Sequence, residues 1–376
     1  MGADIPRRVK VLFVTTSYPS KEAPATGAFV LEHARAVRPG ADVAVLHLDR
    51  RHDIRSIHVR REDGEFPLWR VSYPYRPTAF SIGAHVAAGL AGYRAVRRTG
   101  FDPDLIHAHF FLSALPAAFF GKPLVETEQW TIFLPEDPAR LTPPLRLGAR
   151  LALARARLVL PVSRDLEDAM RAAGIRGPFR VIPNAVDTSL FRPGPGGGGN
   201  RISTVGLLQY QKGVDDLLRA VAFLRASRPA LTLDVVGDGP ERASYEALAT
   251  EIGLEGAVTF HGLLPKAAIA DLLSVSDVFA LASRFDNNPC VLVEAQAAGL
   301  PIVSTRVGGI PELVGGDGVL GERDDPQGLA GNIATVLDRL DTYDRGAIAE
   351  RARDRFSVAT VGQALLDSYD EVLAQR

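Results

Sequence analysis

Short unbroken apolar runs, each followed by a segment of helical spacing, recur along the whole chain and restrict its fold more than any other feature. The first is VKVLFVTT, residues 9–16, which leads through a loop containing Gly27 into a helical pattern ending near Val37. Further runs fall at 42–48, 104–109, 123–127 and 158–163, with Ala/Leu/Arg-rich helical stretches at 85–98 and 145–157. Apolar runs with little two-residue alternation suit strands buried on both faces, as in a parallel sheet covered by helices. The chain therefore reads as α/β.

The segment RPGPGGGGN, residues 192–200, resets the pattern. Four consecutive glycines have high backbone freedom and nothing to pack, which reads as a linker. A second series then begins with RISTVGLL and continues through LTLDVVGDGP, AVTFHGLL, DVFALAS and PIVSTRV, and a last amphipathic stretch occupies 358–373. The expected division is 1–191, a linker at 192–200, a second domain at 201–355, and a closing helix at 356–376. Open α/β sheets bind ligands at the carboxyl ends of their strands, so a cleft between two such edges is the expected site.

Bulk properties narrow the classes. At 376 residues the chain is too long for one ordinary core, and its 46% hydrophobic and 23% charged composition is that of a globular protein. A formal net charge of -1 supplies no field for nucleic-acid binding. The one cysteine, Cys290, excludes an intramolecular disulfide and a thiolate zinc site. Asp4, Pro6, Arg7, Arg8 and Lys10 interrupt any apolar run at the start, and no membrane-spanning run appears, so a soluble, cytoplasmic protein is expected. Thr16 to Gly27 lacks the G-x-G-x-x-G of a dinucleotide site, and no P-loop is present.

The stretch ALASRFDNNPCVLVEAQAAGLPIVSTRVGGIPE carries the chemistry. Asn288-Pro289 suits a helix opening, and Gly299 and Pro301 suit its end, giving a helix at about 289–298. Asp286 then lies above the helix N-terminus, and Glu294 about 7 Å deeper along the axis. That spacing reads as two clamps on one extended ligand rather than a proton-sharing dyad. Unpaired N–H groups at the helix start suit a phosphate, as does the close backbone approach that Gly308-Gly309 allows. Lys212, in QYQKGVDDLL, falls at the same edge of the expected second sheet. Taken singly, an acid near a helix start is also a cap and a lysine a surface residue. Glu294 interrupts an apolar run and needs a partner.

Together these segments resemble the retaining family 4 glycosyltransferases of GT-B fold, whose two Rossmann-like domains face each other across a cleft. DNNPCVLVEAQAAGLPIVSTRVGGIPE follows that family's E-x7-E and AxAxGxPVVxTxxGGxxE pattern. IPNAVD, GLLQYQKGVDDLLRA, VVGDGPE, FHGLL and RFSVATVGQALLDSYDEVL resemble further family segments, in order. The resemblance implies a nucleoside diphosphate sugar, UDP- or GDP-linked, in the second domain and an acceptor in the first. It implies Glu294 on the ribose, and Asp286 with backbone around Asn288, Pro289, Cys290 and Val291 on sugar and phosphates. Lys212 and Gly206 fall at the diphosphate, Gly27 at the first-domain approach to it, and His109 at the reacting sugar. Glu126, Glu128 and Gln129 are candidate acceptor contacts, and Ser163 is a helix cap. No metal is required by this scheme, because helix N-termini and Lys212 can stabilise the departing diphosphate. The acceptor is a carbohydrate, a lipid-linked molecule or a small molecule.

Three departures from the family pattern stand out. Asp286 stands where Glu is usual, with Asn287-Asn288 after it. Leu207 replaces the usual arginine of GRLxxxKG. Gln129 replaces a common histidine. Leu207 keeps in view a sugar-nucleotide-binding protein with weak or lost turnover, and the two-domain architecture a sugar-nucleotide epimerase on the same scaffold. The basic helical stretches at 85–98 and 145–157 suit either sheet-covering helices or peripheral contact with anionic lipid.

Overall fold

The computed structural model describes residues 8–20, 26–75 and 80–375. Asp4, Pro6 and Arg7, and the middle of the loop between Thr16 and Gly27, lie outside the described residues. The chain forms two compact units. The first comprises the chain to Pro135, Ala139–Ala185 and Val361 onward, and the second comprises Glu136–Pro138 and Val186–Thr360.

The first unit is built on β1 (Val9–Thr15), β2 (Ala41–Arg51), β3 (His58–Glu62), β4 (Leu68–Pro74), β5 (Leu105–His109), β6 (Leu124–Glu128) and β7 (Leu158–Pro161). They form one sheet in the order β3-β4-β2-β1-β5-β6-β7, parallel except for the antiparallel β3–β4 pair. Its helices are α1 (Ala28–Val37), α2 (Phe80–Arg98), α3 (Phe111–Ala117), α4 (Pro143–Leu153) and α5 (Arg164–Ala172). The β3–β4 pair was not anticipated. HVRRE is exposed along most of β3 and LWRVSYP mixes buried with half-buried residues, so neither shows the unbroken apolar run of the other strands. Gly27, at the start of α1, has φ 68°, and a Cβ there would meet the Ser17 carbonyl oxygen at 2.3 Å. Ser163 caps α5, its Oγ accepting from the Leu166 N–H at 3.1 Å.

The second unit alternates strand and helix: β8 (Arg201–Val205), α6 (Val214–Arg225), β9 (Thr232–Val236), α7 (Arg242–Glu251), β10 (Val258–Gly262), α8 (Lys266–Ser274) and β11 (Val278–Leu281). It continues with α9 (Cys290–Ala297), β12 (Ile302–Thr305), α10 (Ile310–Val314), β13 (Gly318–Gly321), α11 (Pro326–Leu337) and α12 (Arg345–Phe356). The sheet is parallel throughout, in the order β10-β9-β8-β11-β12-β13. Strand alternation divides its core in two. Val278 and Ala280 pack with α6, α7 and α11, whereas Phe279 and Leu281 pack with α8, α9, α10 and α12. The last helix, α13 (Val358–Ala374), begins with residues of the second unit and from Val361 belongs to the first.

The glycine run is not a loose tether. Asp277, which is buried, accepts the backbone N–H groups of Gly197, Gly199, Asn200 and Arg201 at 2.7–2.9 Å. A Cβ on Gly197 would stand 2.8 Å from that carboxylate. A buried carboxylate needs donors, and glycine backbone supplies them at close range. The units divide earlier, between Ala185 and Val186.

Candidate active site

Because the second sheet is parallel, the loops after β8, β11 and β12 emerge at one edge. Lys212 lies in the loop after β8, and Asp286 in the loop after β11. Their side chains meet, with Nζ 2.5 Å from Oδ2, and are only 15% and 10% exposed. The Ser283 hydroxyl lies 3.4 Å from the same carboxylate oxygen. Gly213, with φ 59°, permits the contact between the loops, since a Cβ there would sit 2.1 Å from the Ala282 carbonyl oxygen. The Thr305 hydroxyl donates to the Ser283 carbonyl at 2.5 Å, and the Gly309 N–H donates to the Asp286 carbonyl at 3.2 Å. The loop carrying Asp286 is thus held from both flanking strands.

Arg284 is the rivet of this edge, and sequence reasoning missed it. Its guanidinium donates to Asp215 at 2.9 and 3.0 Å, to Asp216 and Asp324 at 2.9 Å each, and to the Tyr210 carbonyl at 2.9 Å. It also lies 4.4 Å from the centre of the Tyr210 ring. Burial opposes its charge, but the Asp215 and Asp216 carboxylates outweigh that and raise its pKa. Burial pushes Asp216 up in turn, against the pull of Arg284. With its donors engaged, Arg284 does not replace the cation missing at Leu207, whose side chain is exposed. The available signal was an arginine two residues before Asp286 in a buried loop, together with the Asp215-Asp216 pair.

α9 starts at Cys290, with Pro289 as its flanking residue at φ -68°, close to the expected opening. Asn287 and Asn288 are buried beside it. Glu294 lies four residues into the helix, about 6 Å along the axis, and is 6% exposed. Lys266, the first residue of α8, stands 3.6 Å from its Oε1. Asp286 and Glu294 therefore each face their own lysine. Gly206 follows β8 directly. A Cβ on Gly237 would come within 1.9 Å of its carbonyl oxygen, so glycine lets the β9 loop pack on this turn. Gly308, at φ 50°, occupies the left-handed region before α10.

In the first unit His109 ends β5 and is wholly buried. Its Nε2 lies 3.3 Å from His33 Nδ1, and its ring stacks on His107 at 4.4 Å. His107 is bonded on both ring nitrogens, to Tyr369 Oη and Thr127 Oγ1, at 2.7 Å each. Burial depresses His33 to about 4 and holds His107 and His109 well below the usual histidine range. The three rings are neutral at neutral pH. Sequence reasoning singled out only His109, because His33 reaches His109, and Tyr369 reaches His107, from helices distant in the chain.

Glu126 and Glu128 are also wholly buried. Glu128 accepts the N–H groups of Phe111, Gln129 and Trp130 at 2.9–3.1 Å. Burial and the neighbouring Glu128 hold Glu126 far above the carboxylate range, and burial raises Glu128 to about 7. Glu128 is committed to backbone at the start of α3 rather than displayed to a ligand. Open space is found elsewhere in this unit. A cavity of about 1280 Å³ is lined by Arg51, Arg60, Arg61 and Arg70, by Asp49, Glu62 and Asp63, and by hydroxyls including Thr16 and Tyr18. Arg70 Nη1 donates to His47 Nδ1 at 2.6 Å, and burial followed by that guanidinium depresses His47 to about 4.

Among the described residues no group of three or more His, Cys, Asp or Glu side chains converges as a metal site. Among them, too, no helix is long and apolar enough to cross a membrane.

Two family models match the chain: Glycosyltransferase Family 4 over residues 9–190 and Glycosyl transferases group 1 over residues 199–339. A D-inositol 3-phosphate glycosyltransferase of Acidothermus cellulolyticus is 29% identical, covering 99% of this chain and 92% of its own. One from Saccharomonospora viridis is 30% identical over 82% of this chain and 78% of its own. Among solved structures, HepE of Anabaena in complex with UDP superposes with a TM-score of 0.75 at 23% identity, covering 96% of this chain and all of that one.

Proposed function

Because the chain belongs to the group 1, family 4 glycosyltransferases, we propose that it moves a sugar from a nucleoside diphosphate to an acceptor hydroxyl with retention at the anomeric carbon. Its fold is α/β of the GT-B class. The observation that carries the donor assignment is the placing of Lys212, Asp286 and Glu294 at one edge of the parallel sheet, the first two on loops that Arg284 helps to hold and the third within α9. Lys212 neutralises the diphosphate. The first N–H groups of α9, around Cys290 and Val291, hold its oxygens. Asp286 accepts sugar hydroxyls, and Glu294 accepts the ribose hydroxyls. UDP bound to HepE favours a uridine donor, with guanosine the other candidate.

The acceptor hydroxyl oxygen bonds to the anomeric carbon as the bond from that carbon to the diphosphate oxygen breaks. The diphosphate leaves with the bonding pair and takes the acceptor's proton. Lys212 and the α9 amides stabilise the charge that develops on it. His109, held neutral by burial, is assigned no proton transfer. No metal is assigned a step. The Arg- and carboxylate-lined cavity of the first unit suits a polyhydroxylated acceptor, and the inositol phosphate glycosyltransferases among the relatives support that class.

Contact with an anionic lipid surface is proposed for α4. Residues 139–157 carry five arginines and no acid, and Leu147 and Leu151, one helical turn apart, are 57% and 62% exposed.

A thermal-shift screen of UDP-, GDP-, ADP- and dTDP-sugars tests the donor assignment. A ligand of the native state raises the transition by mass action. A shift with at least one sugar nucleotide is expected. No shift with any of them at millimolar concentration contradicts the reading.

A further inference from the structure

Lys212 and Asp286 form an ion pair at 2.5 Å with both side chains almost out of solvent. Each charge in such a pair is compensated by the other, and removing one partner leaves a buried charge that seeks a new counter-ion. The pair is also fixed from behind. The Arg284 N–H donates to the Gln211 carbonyl at 2.8 Å, and Gln211 Nε2 donates to the Phe285 carbonyl at 2.9 Å. With the Gly213–Ala282 approach, these bonds keep the two loops together. The ion pair therefore opens by side-chain rotation rather than by loop movement. Asp286, one methylene shorter than glutamate, reaches the ammonium across that fixed gap.

A diphosphate at the start of α9 competes with Asp286 for the same ammonium. A bare nucleoside diphosphate that takes Lys212 leaves Asp286 as a buried carboxylate, with the Ser283 hydroxyl at 3.4 Å from Oδ2 and a new anion close by. An intact sugar nucleotide takes Lys212 and at once offers sugar hydroxyls to the released carboxylate. Selectivity is a difference of affinities, and an arrangement that penalises the wrong ligand contributes as much as one that rewards the right one.

We propose that the Lys212–Asp286 ion pair sets this site against the spent nucleoside diphosphate and in favour of the intact sugar nucleotide, so that the reaction's own product is a weak competitor. The inference rests on the donor site described under Proposed function. It goes beyond that reading by assigning Asp286 a second task, the control of Lys212.

Calorimetric titration of the full chain with UDP, GDP and ADP, and with UDP-glucose, GDP-mannose and ADP-glucose, tests it in wild type, Asp286→Asn, Lys212→Gln and the double variant. Thermal unfolding of each variant checks that it is folded. For the base that binds, Asp286→Asn is expected to bind the nucleoside diphosphate at least tenfold more tightly than wild type, and to lose most of the preference for the sugar nucleotide. Adding Lys212→Gln should abolish the gain. Unchanged or weaker binding of the diphosphate to Asp286→Asn overturns the proposal, because Asp286 would then hold Lys212 in place for the ligand. If neither these compounds nor dTDP and dTDP-glucose bind wild type, the donor-site reading itself fails, and this inference with it.

Discussion

Arg284 grips Asp215 through a two-point fork, Nη1 to Oδ1 at 3.0 Å and Nη2 to Oδ2 at 2.9 Å. The same side chain reaches Asp216 and Asp324, so one nearly buried cation holds three carboxylates that repel one another. A planar guanidinium suits this task because its donors point in fixed directions that match carboxylate oxygens. The fork ties the start of α6 to the loop carrying Asp286, and links the fold of the second unit to the geometry of its candidate donor site.

Replacing Arg284 by Ala leaves Asp216 buried beside two other acids. A loss of roughly 3 kcal/mol in the stability of the second unit is expected, with Lys a partial rescue because it keeps the charge without the fork. Urea unfolding of both variants checks this. A change of under about 0.5 kcal/mol for Ala, as at an ordinary surface position, contradicts it.

The pH dependence of the first unit has two opposed sources. Burial raises Glu126 and Glu128, so the folded form favours their protons, and stability falls as pH rises from the ordinary 4.5 through about 7 for Glu128. Burial lowers His33 and His47, so their contribution is present above the ordinary 6.5 and is lost as pH falls through about 4. Glu126→Gln removes the Glu126 share of the first effect and leaves the second. Its urea midpoint, compared with wild type, should be relatively higher near pH 8 than near pH 5. Parallel pH profiles for the two proteins contradict the assignment.

Anionic-lipid contact through α4 predicts that the protein cosediments with vesicles containing phosphatidylglycerol and not with neutral phosphatidylcholine vesicles, and that added salt releases it. Replacing Leu147 and Leu151 by Ser should cut the bound fraction severalfold. Equal sedimentation of wild type and this variant contradicts the proposal.

The parts of the fold legible in the sequence were those with strong local causes. Most of the parallel strands announced themselves as unbroken apolar runs, β4 and β13 excepted, and α9 by Asn288-Pro289 at its start and Gly299 after its end. What escaped was set by distant partners. The glycine run reads as slack chain until Asp277, some eighty residues later, is seen taking its amides. β3 has no buried face of its own and exists by pairing with β4. At the site, Asp286, Glu294 and Lys212 stood out by their position against the expected elements. The ion pair between two of them and the rivet at Arg284 depend on loop contacts, and the lysine facing Glu294 on a contact between α8 and α9, that no spacing in the chain expresses. The stack of His33, His107 and His109 is similar, because neighbouring strand residues and a remote helix complete it.

The central claim is a nucleoside diphosphate sugar held by Lys212 and Glu294. Titration calorimetry of the sugar nucleotide that gives the largest thermal shift, against wild type, Lys212→Gln and Glu294→Gln, tests it most directly. Loss of a hydrogen bond or ion contact to a charged group is worth about 1.5–3 kcal/mol, so each variant should bind at least tenfold more weakly. One site per chain in wild type, weakened by both changes, is the predicted result. Binding that survives both substitutions unchanged would place the donor elsewhere and contradict the account.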